Sequence, residues 1–346
     1  MHLIIDIRST SPVDPMMTRY ASSWVDLWIE RHPIDRVSYI HYMHHDCPEN
    51  GTSVIVSPSV WWRSKQPISV RWVQDIFRCV NFSCYTPYDT SVTTLSHIWD
   101  HVNILYPKSE KRLWGKWLRL NTKKYNKNNN TIIVPSLSIG QEAVEITHTR
   151  EQDIEIIPYL TLSPIKWDRH ALNQLSISGS YWLYDGSYGS EAGIFALLRW
   201  YRDYHDKGGT HMLILMWGLS PTELRDISLK IQQLSLTGLV RIIGTLEWET
   251  QETLYAHASG WIYVGAYYTG GPRIELARSH RIPLLIPNIA SLSDYHADAV
   301  LIHPSHLGSL GQTLCDLEQS QSSVPKRTLS NDTIMWKYEK LIAEKW

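Results

Sequence analysis

The chain has 346 residues but only four cysteines (Cys47, Cys79, Cys84 and Cys315), and none of them belongs to a CxxC pair. This spacing favours free thiols in a reducing compartment over a disulfide framework. No run of about 18 apolar residues occurs, which excludes a membrane-spanning helix. Residues 2–7, HLIIDI, are too short an apolar run for a secretion signal and predict a first strand. We therefore expect a cytoplasmic protein.

Several catalytic and binding motifs are also missing. The sequence has no GxSxG elbow, Walker loop or GxGxxG turn, so hydrolase, P-loop NTPase and NAD-dependent dehydrogenase interpretations lose their main support. No DxD follows a strand to hold a metal–diphosphate complex. The histidine-rich stretch HYMHHDCPE, residues 41–49, has no standard zinc-site spacing. We therefore predict neither a bound metal nor a cofactor.

Net charge is nearly absent, because 33 Lys and Arg face 34 Asp and Glu. This balance gives no general reason to expect a nucleic-acid partner. The charge balance does not hold locally in residues 106–127, YPKSEKRLWGKWLRLNTKKYNK. This segment has eight basic residues and one acidic residue beside two tryptophans. Such a segment suits peripheral contact with the inner, anionic face of a membrane. One alternative is a solvated helix that packs its tryptophans on the core. Another is nucleic-acid binding, which no RNA- or DNA-binding motif in the sequence supports.

The order of predicted elements indicates an α/β protein with two domains. Its length fits two domains of about 150–180 residues. Strand and helix patterns alternate along the chain, which favours parallel crossover units and doubly wound sheets. We predict a strand over 67–76 and a helix over 93–107. The polar segment 161–180 predicts a linker, and the predicted domains are 1–165 and 166–328, followed by a C-terminal helix, 329–346.

The turn TGGPRIE, residues 269–275, has the composition of an anion-binding turn. Gly270 and Gly271 allow close approach of a ligand to the backbone. Arg273 can form a bidentate pair with a phosphate, and Glu275 can accept hydrogen bonds from both hydroxyls of a ribose. N–H groups at a helix start add partial positive charge. The alternative is that Gly-Gly-Pro is only a tight strand-to-helix connection.

The order of motifs over 181–304 resembles a known family. The segments are YWLYDGSYGSEAGIFALLRWY, MLILMWG, VRIIG, LYAHA, GWIYVGAYYTGGPRIELA, IPLLIPN and DAVLIHP. They are similar, in this order, to the donor-binding half of the group 1 nucleotide-sugar glycosyltransferases, the retaining GT-B type. MHLIIDIRS and the last helix resemble that family more loosely. The resemblance implies a GT-B architecture, in which two Rossmann-like doubly wound domains face a cleft and the last helix crosses back to the first domain.

The resemblance also implies roles for individual residues. Thr269 would face the transferred sugar, and Asp75 would act with it in catalysis. Arg19 would lie on the acceptor side, in the first domain. The donor would be bound by residues of two turns of the second domain: Gly186, Ser187, Gly270, Gly271, Arg273 and Glu275. We expect Glu275→Ala to lose donor binding with little loss of stability.

The sequence departs from the family pattern at charged positions. Thr269 replaces the first of two family glutamates, Ser187 replaces an arginine and Ala192 replaces a lysine. A glutamine, Gln74, replaces the histidine before Asp75. Removing one charge-stabilising donor typically costs about 10²–10³ in rate. Activity therefore needs replacements, for which the candidates are Arg273, Lys166 and Arg19.

Two hypotheses follow for function. The first is a glycosyltransferase of the hexosyltransferase type that moves a sugar from a nucleotide-sugar to a glycan or lipid-linked acceptor. It would need no metal, retain anomeric configuration and serve polysaccharide biosynthesis. The second is a catalytically degenerate protein of the same fold that acts as a binding or scaffolding subunit.

Overall fold

The computed structural model describes most of the chain in two compact units. The described residues are 1–7, 16–42, 49–56, 78–82, 93–99, 101, 105, 130–162, 170–186, 193–216, 220–244, 246–267, 271–302, 309–319 and 330–345. Unit 1 comprises Met1–Leu160 and Leu329–Trp346, and unit 2 comprises Thr161–Thr328. No helix within the described ranges combines the length and apolar character needed to cross a membrane.

Unit 1 is built on a parallel sheet. Its described strands are β1 (His2–Asp6), β2 (Arg36–Tyr42), β3 (Thr52–Val56), β4 (Arg78–Asn81), β5 (Thr93–His97), β6 (Asn130–Val134) and β7 (Ile154–Ile156). They are arranged β3-β2-β1-β4-β5-β6-β7, and every pairing is parallel. The helices between them include α1 (Met16–Arg31) and α2 (Leu137–Thr147).

The prediction of a helix over 93–107 is wrong for its first part, because Thr93–His97 is strand β5. This strand pairs with β4 on one side and β6 on the other. Its side chains from Thr94 to His97 are all buried. A short run buried on both faces has no period-2 alternation, so its pattern alone does not separate strand from helix. The predicted strand over 67–76 lies outside the described residues.

Unit 2 contains a second parallel sheet. Its described strands are β8 (Tyr181–Tyr184), β9 (Met212–Met216), β10 (Val240–Ile243), β11 (Gly260–Ile262), β12 (Leu284–Pro287) and β13 (Val300–Ile302). Their order is β10-β9-β8-β11-β12-β13. The helices are α3 (His170–Gln174), α4 (Ile194–Asp206), α5 (Pro221–Gln233), α6 (Trp248–His257), α7 (Arg273–Ser279) and α8 (Ser309–Gln319). A 3-10 segment, Ala290–Asp298, follows β12.

Local sequence accounts for several helix ends. Helix α5 begins with a capping box, in which the Ser220 hydroxyl accepts from the Glu223 backbone N–H and the Glu223 carboxylate accepts from the Ser220 N–H. This confirms the capping predicted from the Ser-Pro-Thr-Glu sequence. Ser136 caps α2 with a single bond, in which its hydroxyl accepts from the Ile139 N–H. Helix α3 lies inside the polar segment that the sequence predicts as a linker.

The C-terminal helix α9 (Asn331–Lys345) belongs to unit 1 and joins its aromatic core. The Tyr338 hydroxyl lies 2.7 Å from His97 Nε2 of β5. Its ring packs edge-on against Trp24 of α1. Glu339 accepts a hydrogen bond from Arg31 at the end of α1 and contacts His32. Buried aromatic contact therefore holds the last helix to unit 1.

In both sheets, the order in which strands are added reverses next to the first strand. The chain winds outward from β1 to β3 and then returns to place β4 beside β1, and unit 2 repeats this with β8 and β11. In doubly wound sheets, ligands bind outside the carboxyl ends of the strands at this switch point. The loops that follow β8 and β11 are therefore the first place to look for a site in unit 2.

Candidate functional site

Two glycines shape the loops at the switch point of unit 2. Gly193 immediately precedes α4 with φ of 69°, and a Cβ there would lie 2.5 Å from the Val264 carbonyl oxygen in the loop after β11. Gly186 follows β8 by two residues, and a Cβ there would lie 2.5 Å from the Tyr184 ring. A larger residue at Gly193 would push the chain away from the loop after β11, whereas one at Gly186 would displace the Tyr184 ring. Close backbone approach therefore brings the two loops together.

A buried ion pair connects the same two loops. Asp185 directly follows β8, and its Oδ2 lies 2.9 Å from Nε of Arg273, the first residue of α7. The same oxygen accepts a hydrogen bond of 2.6 Å from the Tyr255 hydroxyl of α6. The Asp185 side chain is 4% exposed and that of Arg273 is 17% exposed. Three elements thus place a guanidinium and a carboxylate at the switch point.

The turn before α7 places a glycine in the left-handed backbone region. Gly271 is buried and adopts φ of 52°, a region that glycine enters without steric cost. Pro272 follows at the cap position of α7. The helix has only seven residues, so its dipole is short and the Arg273 side chain is the stronger source of positive charge.

Glu275 lies on the opposite side of α7 from Arg273. Two residues along a helix correspond to a rotation of about 200°, so these side chains do not share a face. The Glu275 side chain is 2% exposed and accepts a hydrogen bond of 3.2 Å from Arg278. Arg278 also pairs with Asp298 and lies over the Tyr295 ring. This network ties α7 to the 3-10 segment after β12.

The environment of Glu275 changes the expected cost of removing it. A buried carboxylate with an arginine partner leaves part of a charged network unsatisfied when it is truncated. We therefore replace the sequence-based expectation of little stability loss with an expected loss. The ribose-binding role of Glu275 stays a prediction.

The structure describes only some of the remaining predicted site residues. Asp75, Ser187, Thr269 and Gly270 lie outside the described residues, as does the basic segment 106–127. Arg19 is half-buried near the start of α1 in unit 1. Gly186, Gly271 and Arg273 lie in the two turns that flank the switch point. Their roles in binding stay predictions.

Sequence reasoning missed Asp185 and Tyr255. A signal for Asp185 was present, because it is a charged residue placed directly after the fully buried strand YWLY. Side chains at that position point toward the ligand-binding edge of a parallel sheet. Nothing local marks Tyr255, whose hydroxyl reaches Asp185 from 70 residues away.

Among the described residues, three aromatic side chains follow strands at the carboxyl edge of the unit 1 sheet. Phe82 directly follows β4, Trp99 follows β5 by two residues and Tyr159 follows β7 by three residues. All three are buried and surround Tyr20 of α1 with ring centroids 5.3–6.0 Å away. We call these four side chains and three neighbouring rings the aromatic cluster: Tyr20, Trp24, Phe82, His97, Trp99, Tyr159 and Tyr338. It gives this edge a packed core.

Histidines of unit 1 have protein partners. His41 Nε2 of the histidine-rich stretch lies 2.6 Å from the Ser53 hydroxyl of β3. His101, which is fully buried, contacts the Glu142 carboxylate of α2 at 3.1 Å. Among the described side chains, no group of three or more His, Cys, Asp or Glu could hold a metal ion. Cys79 and Cys315, the two cysteines in the described ranges, are buried free thiols.

Comparison of the sequence with protein-family models and with curated proteins finds no match. Solved structures do match over the whole chain. HepE of Anabaena, in complex with UDP-glucose, superposes with a TM-score of 0.70 at 12% identity, covering 99% of this chain and 100% of that one. Sucrose-phosphate synthase of Thermosynechococcus elongatus gives 0.68 at 12% identity, covering 99% and 98%.

A third structure, WaaG, is a glycosyltransferase involved in lipopolysaccharide biosynthesis. It gives a TM-score of 0.65 at 13% identity, covering 91% of this chain and 90% of its own. These neighbours are GT-B glycosyltransferases, and identities this low establish the fold alone. Together with the two parallel sheets, they show that this chain has the GT-B fold, with two Rossmann-like units.

Proposed function

We propose that the protein is a glycosyltransferase of the group 1 type that uses a nucleotide-sugar donor. One observation carries the proposal: Arg273 lies at the switch point of unit 2, where doubly wound sheets bind nucleotides. Its guanidinium can pair with the donor diphosphate, taking over part of the charge that the missing family arginine and lysine would supply. The likeness to HepE bound to UDP-glucose supports a uridine nucleotide as the first donor to test.

The proposed reaction is a substitution at the anomeric carbon of the donor sugar. The bond from this carbon to the diphosphate oxygen breaks, and the electron pair stays on the diphosphate. The acceptor hydroxyl oxygen forms the new bond to carbon and gives its proton to a base. The diphosphate gains negative charge as the bond breaks, so a fixed cation such as Arg273 stabilises the transition state more than the bound donor.

Several details of the proposal rest on the resemblance alone. Transfer without a metal, retention of configuration and a glycan or lipid-linked acceptor are properties of that family type. So are the assignments of Asp75 and Thr269 to catalysis, of Gly186, Ser187, Gly270, Gly271 and Glu275 to the donor, and of Arg19 to the acceptor. Contact of residues 106–127 with a membrane surface would fit a lipid-linked acceptor.

The test is thermal unfolding of the purified protein with UDP, GDP, ADP and their common sugar esters, without added metal. A ligand at 100 times its Kd adds about 2.7 kcal/mol to the free energy of unfolding, which raises Tm by a few degrees. We expect stabilisation by one nucleotide, and its loss in Arg273→Gln. Arg225→Gln, which removes an exposed arginine of α5, is the matched control and should keep the response.

A second candidate function is the degenerate scaffold. The ion pair to Asp185 favours it, because a buried carboxylate already offsets the charge of Arg273. A protein that gives no thermal shift across the whole panel would support this candidate and contradict the first. A shift that survives in Arg273→Gln would keep the donor site but remove Arg273 from it.

A further inference from the structure

We propose that Asp185 is a specificity-determining residue that weakens binding of the diphosphate product relative to the sugar donor. The inference rests on the proposed function and goes beyond it, because it assigns a role to a residue outside the predicted site. It also gives the Asp185–Arg273 pair a function in an active enzyme.

The geometry places Asp185 close to any anion that Arg273 binds. Asp185 Oδ2 lies 2.9 Å from Arg273 Nε, the innermost nitrogen of the guanidinium. The outer nitrogens lie about 2.3 Å from Nε, and a phosphate oxygen would pair with them at about 2.8 Å. The carboxylate and the phosphate would then share one guanidinium and lie about 6–8 Å apart. At that distance two charges still repel strongly where water is scarce.

Burial and hydrogen bonding keep the carboxylate in place. The Asp185 side chain is 4% exposed, which limits screening of its charge by solvent. The Tyr255 hydroxyl donates to the same oxygen at 2.6 Å and holds it toward Arg273. Tyr255 is fully buried in α6, so this arrangement does not depend on a surface side chain.

The donor and the product differ in charge at this place. In a nucleotide-sugar, the outer phosphate is esterified and carries one negative charge. After transfer, that phosphate ends in a free oxygen whose second ionisation falls near pH 6–7, so at neutral pH the product carries about one more negative charge. A fixed carboxylate nearby therefore repels the product more than the donor. Product release is a step that often limits turnover.

Asp185→Asn isolates the charge. Asparagine keeps an oxygen that can accept from the Tyr255 hydroxyl, and it removes the negative charge. We expect about tenfold tighter binding of UDP and about threefold tighter binding of UDP-glucose, so the ratio of the two Kd values shifts toward the product. Asp206→Asn removes the carboxylate of the exposed Arg202–Asp206 pair of α4, and it should change neither Kd.

The measurement is isothermal titration of the full chain with UDP and UDP-glucose, or with the diphosphate and sugar ester that the thermal panel selects. Asp185→Ser, which also removes the charge and keeps a small polar group, provides a second variant if Asp185→Asn does not fold. Unchanged or weaker UDP binding in a folded variant would overturn the inference and leave the proposed function standing. Equal tightening of both ligands would also overturn it. An unmodified protein that binds no nucleotide would overturn both.

Discussion

The two units have the same strand order through six positions, but the carboxyl edges of their sheets differ in chemistry. In unit 1, buried rings of the aromatic cluster pack where β4, β5 and β7 end. In unit 2, the corresponding edge holds the Asp185–Arg273 pair between the loops that follow β8 and β11. Among the described residues, the same topology thus carries a packed aromatic cluster at one edge and an ion pair at the other.

The comparison shows that topology selects the place of a site and side chains select its ligand. The switch point follows from strand order alone, and both units have one. In unit 2 the guanidinium of Arg273 lies there, paired with Asp185. We therefore expect substitutions in the aromatic cluster to affect stability and substitutions near Arg273 to affect nucleotide binding.

The largest effect is expected from Trp24→Ala in unit 1. Trp24 is fully buried, stacks on Trp28 at 5.3 Å and packs edge-on against Phe82 and Tyr338. Truncating a buried tryptophan costs about 3–5 kcal/mol, because contacts are lost and a cavity remains. Urea unfolding followed by far-UV circular dichroism measures the loss.

The matched control is Trp336→Ala on α9. Trp336 belongs to the same unit but is 55% exposed, with Lys340 over its ring. Its truncation should change the free energy of unfolding by less than about 0.5 kcal/mol. Equal losses in both variants would mean that the aromatic cluster is not the core of unit 1.

The next effect is expected from Glu275→Gln in unit 2. Glutamine keeps the shape but removes the charge that faces Arg278. This partly buried arginine then loses its anionic contact with Glu275 and keeps the one with Asp298. We expect a loss of about 1–3 kcal/mol in the free energy of unfolding. Calorimetric or urea unfolding measures it, together with the Kd for UDP. Unchanged stability with a large rise in Kd would restore the purely ligand-binding role predicted from sequence.

The smallest effect concerns Glu318, at the opposite, amino edge of the unit 2 sheet. Its carboxylate on α8 contacts Thr210, His211 and the Tyr204 hydroxyl just before β9 begins. Burial opposes ionisation, but the hydrogen bonds from Thr210 and Tyr204 outweigh it and lower the pKa of Glu318. A group with a lowered folded-state pKa stabilises the native state above its unfolded pKa. This stabilisation is lost as pH falls through the folded pKa.

Glu318→Gln should therefore be less stable than the unmodified protein at pH 7, and the difference should shrink below about pH 4.5. Urea unfolding at pH 7 and pH 4 measures both values. The Kd for UDP should stay unchanged at pH 7, because this edge lies away from the switch point. A difference in stability that grows toward pH 4 would contradict the assigned direction of the pKa shift.

Much of the fold could be predicted from local patterns. The apolar spacing of α1, the capping of α5 and the short buried strands of unit 2 are all readable along the chain. Strand β5 was predicted as helix, because a run buried between two neighbours has no diagnostic period. Helix α3 was assigned to a linker, because five residues are too few to show a periodic pattern.

The candidate site was predictable only in part. Glycines and a proline in one turn, with Arg273 and Glu275, mark an anion-binding position because they are neighbours in sequence. Their opposite faces on α7 follow from helix geometry once the helix start is known. Asp185 and Tyr255 join Arg273 from distant parts of the chain, so no window of sequence contains the contact.

The sequence by itself determined the alternation of strands and helices and the turn that carries Arg273. These features depend on local propensity and hydrophobic spacing, which the chain displays in order. The GT-B architecture was predicted from the family resemblance. The tertiary structure decided which charges meet. Strand order placed β8 beside β11, and that adjacency brought the Asp185 carboxylate to the Arg273 guanidinium across 88 positions of the chain. Such contacts arise from packing, because the energy of an ion pair depends on distance and burial rather than on separation in sequence.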